Sequence, residues 1–222
     1  MKVYPVEQGT EAWRKIRLGI PTSSRFHKIL TPTGKLSSQA KAYAHELIAE
    51  ELLGRPLESL DNLQWLERGI VMEEEAVKLY EMAFDQPTLP VGFITNDAGT
   101  LGCSPDRLIK GAHAGLEVKC AKPNTHVGYL LEGFGADYIP QVMGQIYVAE
   151  FDWVDRFGYH PELPPVRTRT YRDEAYIAKL AVALDEFTDM LGEMRETARK
   201  SGALFEKIGA MPRFTAEDYL SA

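Results

Sequence analysis

The hydrophobic pattern of the chain changes its period near residue 90, and this change limits the possible folds more than any other feature. Before it, apolar residues recur every three or four positions, which is the spacing of amphipathic helices. After it come short alternating or apolar pieces at 90–95, 100–109 and 115–121, separated by turn-forming residues. The three pieces are typical of an antiparallel meander, and a chain with both patterns packs helices against a sheet.

The other segments continue this mixture of helices and strands. Helices are predicted over 9–18 (with Thr10 as N-cap), 22–30, 38–53, 61–84, 136–149 and 173–200. Two more strands are predicted over 153–160 and 166–172, joined by a Pro-rich loop at 161–165. The helix over 61–84 is predicted to begin at Asp61 and to bury Leu63, Leu66 and Ile70. The fold class is therefore α/β, with a central mixed sheet of about five strands flanked by helices.

Length and composition favour a single domain. A chain of 222 residues with 45 % hydrophobic residues can bury a substantial core. We expect one domain over 1–222, with a helical part over about 1–85, a sheet core over about 88–172 and a C-terminal helix over about 173–200. No run of about 18 apolar residues and no signal-peptide pattern is present, so a soluble intracellular protein is expected.

Positive charge is concentrated near the start of the chain. Residues 1–45 contain eight Lys or Arg and two acids, a local net charge of +6, although the whole chain has a net charge of −7. This asymmetry fits a surface that faces a polyanion on an otherwise acidic body. It fits a solvated basic helix face equally well.

Two carboxylates and a lysine are unusually placed within the strand region. In the predicted strand over 115–121, Glu117 and Lys119 project to one side and their apolar neighbours to the other, so one face is expected to be packed and the other to carry the chemistry. If Asp106 ends the preceding antiparallel strand, its carboxylate comes beside Glu117. Such a pair repels unless a cation lies between the two groups, and oxygen ligands suit Mg²⁺ or Mn²⁺. The Glu-x-Lys spacing alone also fits an exposed ion pair.

A third acid points toward the apolar side of its helix. Glu73 lies three residues from both Ile70 and Ala76, whereas Glu74 and Glu75 fit a solvated helix face.

The cysteines and histidines allow two alternatives. Cys103, His113, Cys120 and His126 are zinc-ligand types, although they lack the close Cys-x₂₋₄-Cys pair that structural zinc sites use. A disulfide between the two cysteines is conceivable, but two small buried hydrophobic side chains are the expected state.

The segment SPD…LEVKC resembles the PD-(D/E)xK signature of the restriction-endonuclease-like nuclease superfamily. Further segments are similar, in order and spacing, to the phage lambda exonuclease family: 6–24, 69–76, 103–108, 116–120 and 138–150. The resemblance covers most of the chain up to about residue 160. It implies a restriction-endonuclease-like core.

This resemblance implies a role for each matching residue around the acid pair. Asp106, Glu117 and the backbone carbonyl of Val118 would bind Mg²⁺, with two ions per site and Mn²⁺ as a substitute. Lys119 would orient or activate the attacking water, and Glu73 matches an additional active-site acid.

Four further positions match residues that contact DNA phosphates in the family. Gln141 matches a glutamine near the scissile phosphate, and Arg17, Ser24 and Ser104 match a pocket for a 5′-terminal phosphate. Without the resemblance, Ser24 could cap a helix, Gln141 could be a surface residue of an amphipathic helix, and Arg17 could form a surface ion pair.

The resemblance also implies an activity. The implied activity is that of a Mg²⁺-dependent exonuclease, which digests linear double-stranded DNA from 5′ ends to mononucleotides and leaves 3′ single strands for recombination. The family forms ring-shaped homotrimers, acts beside a single-strand annealing protein, and works in the bacterial cytoplasm, encoded by a phage or prophage. The alternatives are an endonuclease of the same fold and a catalytically silent DNA-binding module.

Overall fold

The computed structural model describes residues 1–57 and 63–208, with side chains over 1–57 and 72–202. Its helices are α1 (Glu11–Ile16), α2 (Ala40–Leu53), α3 (Leu63–Phe84), α4 (Pro123–Glu132), α5 (Ile139–Val148) and α6 (Glu174–Ile208). Its strands are β1 (Lys2–Tyr4), β2 (Thr88–Pro90), β3 (Phe93–Thr95), β4 (Gly102–Cys103), β5 (Arg107–Ile109), β6 (Ala114–Lys119), β7 (Trp153–His160) and β8 (Leu163–Tyr171). Short 3₁₀ helices cover Ser23–Lys28 and Ala136–Tyr138.

The central sheet has five strands in the order β2-β5-β6-β7-β8. Strand β6 runs parallel to β7, and the other neighbours are antiparallel. The parallel step follows from the connection, because α4 and α5 lie between β6 and β7 and carry the chain back across the sheet. The predicted mixed sheet of about five strands flanked by helices is confirmed.

The predicted antiparallel meander is wrong. Strands β1, β3 and β4 form a separate three-stranded sheet with β3 in the middle, and β5 and β6 belong to the central sheet. The piece predicted as one strand over 100–109 divides at Ser104–Asp106, where Pro105 has no N–H to donate to a ladder. Turn-forming residues show where strands end but do not show which strands pair.

Helices cover both faces of the central sheet. On one face, α3 packs Ala76, Val77 and Tyr80 in a small core with residues of β6 and β7. On the other face, α5 packs into a larger core that also contains α2 and α6. Gly144 on α5 permits a close approach of the 3₁₀ segment, because a Cβ there would lie 2.5 Å from a ring carbon of Phe26.

Several predicted elements differ in the structure. The helix predicted over 22–30 is the short 3₁₀ helix, and β1 and α4 were not predicted. Helix α4 begins at Pro123, and proline is favoured in the first helical turn although it breaks helix interiors. Strand β8 includes the predicted loop prolines, which an edge strand tolerates because one side of its backbone has no partner. The C-terminal helix extends to Ile208.

The predicted Thr10 cap is confirmed, because its hydroxyl accepts the Trp13 backbone N–H at 3.3 Å. The predictions for Asp61, Leu63, Leu66 and Ile70 lie outside the residues whose side chains are described. In the described part of the chain, no helix is long and apolar enough to cross a membrane.

Candidate active site

Asp106 and Glu117 lie opposite each other on neighbouring antiparallel strands. The register pairs Arg107 with Leu116, so the preceding Asp106 faces Glu117. The Asp106 N–H donates to the Leu116 carbonyl at 3.0 Å, and the Val118 N–H donates to Asp106 Oδ2 at 2.5 Å. Asp106 was expected to end the preceding strand, but it comes directly before β5, because Pro105 interrupts the segment.

The environment of Asp106 disfavours its ionised form. Desolvation raises the pKa of Asp106 well above its ordinary value, and the nearby Glu117 and Glu73 carboxylates raise this pKa further. Lys119 and the Val118 N–H oppose this effect only in part. Carboxylates that repel one another at a desolvated position favour a bound cation.

Glu117 is held by three side-chain donors. Its Oε1 accepts Lys119 Nζ at 2.7 Å and Gln141 Nε2 at 2.6 Å, and its Oε2 accepts Gln145 Nε2 at 2.5 Å. The residue is only 4 % exposed. The expectation that just one face of this strand is packed is therefore wrong, since α5 covers the Glu117 face as well.

Gln145 is a polar partner of the site that was not predicted from the sequence. Gln141 and Gln145 are four residues apart, so they share one face of α5 and reach the same carboxylate. This spacing is visible in the sequence, but it does not show which residue the two amides reach. Its Oε1 is buried without a hydrogen-bond partner in the described residues.

Lys119 is a cation in this arrangement. Burial alone would lower the pKa of the Lys119 ammonium, but the charge and hydrogen bond of Glu117 outweigh this effect and raise the pKa above its ordinary value. The ammonium also lies 5.3 Å from the centre of the Tyr138 ring. Lys119 can therefore orient water or stabilise negative charge, but it is poorly suited to accept a proton at neutral pH.

Glu73 approaches the acid pair from α3. Burial raises the pKa of Glu73, the Arg107 cation lowers it, and Glu117 raises it again. Glu73 and Asp106 line the same cleft, which is the inward direction that the helical spacing predicts for Glu73.

The donor groups around the acid pair can be compared with those that Mg²⁺ requires. Among the described side chains, those of 1–57 and 72–202, no three His, Cys, Asp or Glu residues are arranged to hold a metal ion. An ion at Asp106 and Glu117 would therefore complete its shell with the Val118 carbonyl, water and substrate, which is typical of Mg²⁺. The unpartnered Gln145 oxygen could accept a hydrogen bond from a metal-bound water. The residues present fit Mg²⁺ or Mn²⁺.

The zinc alternative is wrong. The two cysteines and two histidines do not form a metal-binding group in the described structure. Cys103 is buried in the larger core, and His126 Nε2 lies 2.8 Å from the Pro164 carbonyl. Both cysteines are free, so the disulfide alternative is also wrong.

Arg17 and Ser104 form a polar corner beside the acid pair. Arg17 is the C-cap of α1, and its Nη1 donates to Ser104 Oγ at 3.2 Å. Trp13 Nε1 donates to the same hydroxyl at 3.2 Å, and its ring lies 3.9 Å from the Arg17 guanidinium. Burial lowers the pKa of Arg17 to about 10, so it is charged at neutral pH. Among the described residues Arg17 makes no ion pair, contrary to the alternative from sequence.

Ser24 is less closely tied to this corner. Its hydroxyl lies 3.3 Å from Thr22 Oγ1, at the start of the 3₁₀ helix that carries it. Ser24 lines a cleft of about 1540 Å³ together with Arg17, Glu73 and Asp106. One cleft therefore connects the basic N-terminal segment with Asp106 of the acid pair.

Comparison with models of protein families gives a match over more than half of the chain. A profile of the YqaJ-like viral recombinase domain matches residues 12–152. No curated protein sequence gives a match.

Solved structures give a consistent result. An alkaline exonuclease, LHK-Exo from Laribacter hongkongensis, has a TM-score of 0.77 at 28 % identity, covering 88 % of this chain and 100 % of that one. Its complex with dAMP has the same TM-score and coverage at 29 % identity. A phage-related exonuclease from Haemophilus somnus 129PT shares the fold, with a TM-score of 0.60 at 17 % identity over 79 % of this chain and 96 % of that one.

Proposed function

Because the chain belongs to the YqaJ-like viral recombinase family, we propose that it is a metal-dependent exonuclease that digests linear double-stranded DNA from 5′ ends. The observation that carries the proposal is the Asp106–Glu117 pair beside Lys119, on a cleft that also reaches Arg17. The similarity to alkaline exonuclease LHK-Exo supports a DNA exonuclease as the general activity.

Asp106, Glu117 and the Val118 carbonyl would hold Mg²⁺, with two ions when the substrate adds its phosphate oxygens. The bound metal would supply a water of lowered pKa and stabilise the charge that develops on the phosphate and the leaving oxygen. Glu73, whose pKa is raised by burial, lines the same cleft as Asp106 and would be an additional acid of the site.

Lys119 and Gln141 would position the scissile phosphate. Both donate to the same oxygen of Glu117, so their donors already converge where carboxylate and phosphate would meet. A preformed cation and amide at this point stabilise the charge of the transition state without reorganisation.

Arg17, Ser104 and Ser24 would receive the 5′-terminal phosphate and so set the direction of digestion. A guanidinium and two hydroxyls suit a phosphate dianion. Recognition at this end would release mononucleotides and leave a 3′ single strand.

Family membership also supports a proposal about assembly and partners. We propose a ring-shaped homotrimer around the DNA, acting in the bacterial cytoplasm beside a single-strand annealing protein during phage-type recombination. A basic segment over residues 1–45 on an otherwise acidic chain fits a channel that attracts DNA inside an acidic exterior.

The test is digestion of a linear duplex labelled at its 5′ or 3′ end, with or without a 5′-phosphate, beside a closed circle. With Mg²⁺ we expect early release of the 5′ label from phosphorylated linear DNA, an intact circle, and no reaction with chelator. Cutting of the circle would identify an endonuclease of the same fold. Binding without cleavage would identify a silent DNA-binding module.

A further inference from the structure

Arg156 is a buried cation that the proposed reaction does not use. In the parallel register of β6 and β7 it is the direct neighbour of Glu117, so both side chains lie on the sheet face that α4 and α5 cover. The residue is only 6 % exposed. Arginine is rarely buried unless it is paired, so its environment needs a physical explanation.

The described residues leave most of the Arg156 guanidinium without partners. Its Nη2 donates to Thr170 Oγ1 at 3.2 Å, but Nε and Nη1 have no hydrogen-bond partner. No carboxylate among the described residues lies within ion-pair distance of Arg156. Burial lowers the pKa of Arg156, but an arginine stays charged at neutral pH. A buried cation with two unpartnered nitrogens therefore favours an anion at this position.

The Phe134 ring packs over Arg156. Its centre lies 5.1 Å from the guanidinium, on the segment that joins α4 and α5. Gly133 and Gly135 flank Phe134, and both have positive φ values, 78° and 70°, that other residues rarely adopt. Phe134 is only 4 % exposed, whereas Gly135 and the two residues after it are exposed, so the ring belongs to a segment that reaches the surface.

The position of Arg156 connects it with the acid pair. Asp106, Glu117 and Arg156 occupy adjacent strands, so the Arg156 backbone lies about 10 Å from that of Asp106 by two strand spacings. Arg17 lines one cleft with Asp106 and donates to Ser104. Tyr138 contacts both the Lys119 ammonium and the Phe134 ring. Arg156 is therefore a second arginine near the acid pair, on the strand next to Glu117.

We propose that Arg156 forms a second phosphate-binding subsite, beneath Phe134 and separate from the Arg17 pocket. Its ligand is a phosphate ester, either a backbone phosphate of the bound DNA or the phosphate of a released nucleotide. The existence of the subsite rests on Arg156 and its surroundings, and only the identity of these two phosphate sources rests on the proposed nuclease function.

The test compares the wild type with Arg17→Gln, Arg156→Met and the double variant. Thermal unfolding is followed during an inorganic phosphate titration at constant ionic strength. We expect Arg17→Gln to keep part of the phosphate-dependent rise in Tm and the double variant to lose it. Arg167→Met in the Arg17→Gln background is the matched control, because it removes the same charge from the opposite sheet face and should leave the response unchanged. A full response in the double variant would overturn the proposal.

A second measurement does not depend on the folding of an Arg156 variant. The Arg156 Nε–H signal in a ¹⁵N spectrum of the intact protein is followed with inorganic phosphate, with dAMP, and with an unphosphorylated duplex in a Glu117→Gln background. A shift with dAMP identifies the released nucleotide as the ligand, and a shift with duplex alone identifies a DNA backbone phosphate. A signal that none of the three moves would overturn the subsite.

These results are separable from the proposed function. If the wild type hydrolyses no DNA with Mg²⁺ but phosphate still moves the Arg156 signal, the nuclease proposal fails and the subsite stands. If hydrolysis occurs and the signal does not move, the nuclease proposal stands and the subsite proposal fails.

Discussion

The two faces of the central sheet hold buried charge in different ways, and adjacent residues of β7 show the contrast. Asp155 faces α3 and is fully buried, and it accepts Tyr80 Oη at 2.6 Å and Arg169 Nε and Nη2 at 2.8 and 2.9 Å. Arg156 faces α4 and α5 with two nitrogens unpartnered. On the α3 face the protein satisfies its own charge, whereas the α5 face leaves groups for ligands.

The acid pair belongs to the incompletely satisfied face. Asp106 is desolvated beside other carboxylates, and the Gln145 oxygen near Glu117 has no partner among the described residues. Native proteins leave few buried polar groups unpaired, so a concentration of them indicates a site that is completed by something else. We therefore expect changes on the α5 face to affect chemistry and changes on the α3 face to affect stability.

The largest expected effect is on hydrolysis, in Glu117→Gln and Lys119→Ala. Each variant should lower the rate by about 10³-fold or more, because Glu117→Gln removes an anionic metal ligand and Lys119→Ala removes the cation at the reacting phosphate. Glu74→Gln, an exposed neighbour of Glu73, is the control and should retain activity. Circular dichroism should show a folded protein in every case. Unfolding of either site variant would mean that this face is structural too.

Asp155→Ala should give the opposite result on the other face. It leaves Arg169 and Tyr80 without their shared acceptor, and the expected loss is about 3 kcal/mol in the free energy of unfolding. The hydrolysis rate per folded molecule should not change. Chemical denaturation and single-turnover digestion measure the two quantities. A lower hydrolysis rate with an unchanged free energy of unfolding would contradict the proposed difference between the two sheet faces.

Asp106→Asn should raise the Tm of the metal-free protein at neutral and alkaline pH. The pKa of Asp106 is raised in the folded state. The wild type therefore loses stability between the ordinary aspartate pKa of about 3.9 and the higher pKa of the folded state, because only the unfolded chain ionises freely in that range. Asparagine avoids this loss and can still accept the Val118 N–H. The difference in Tm should vanish at acidic pH. A difference that grows toward acidic pH would contradict a raised pKa of Asp106.

The smallest expected effect is that of Ser104→Ala. Its hydroxyl is shared by Arg17 and Trp13, so its removal should cost about 1 kcal/mol of 5′-phosphate recognition. The preference for phosphorylated over unphosphorylated ends should fall about fivefold. Ser201→Ala, far along α6, is the control. An unchanged preference for phosphorylated ends would show that Ser104 does not contribute to 5′-phosphate recognition.

How much the sequence predicts depends on how local the signal is. The alternation of β6 predicts that Glu117 and Lys119 share a face, and their contact at 2.7 Å is consistent with this. Helical spacing likewise predicts the direction of Glu73. Pairing between strands depends on residues that are distant in the chain, so the separate sheet of β1, β3 and β4 was not predicted.

Two residues of the α5 face also escaped prediction, for physical reasons. Gln145 has the helical spacing of a core residue, and its polar role appears only when β6 brings Glu117 beneath it. Arg156 follows Asp155 directly in an otherwise apolar strand. The neighbouring residues in the sequence do not show which of the two charged side chains is fully hydrogen-bonded. That depends on residues of β8 and α3, which are distant in the chain.

The most direct test of this account is a crystal structure with Mn²⁺, located by its anomalous scattering. The account predicts an ion about 2.2 Å from carboxylate oxygens of Asp106 and Glu117 and from the Val118 carbonyl, with the bond from Gln141 to Glu117 broken. An ion bound elsewhere, with Glu117 still held by Lys119 and both glutamines, would contradict it.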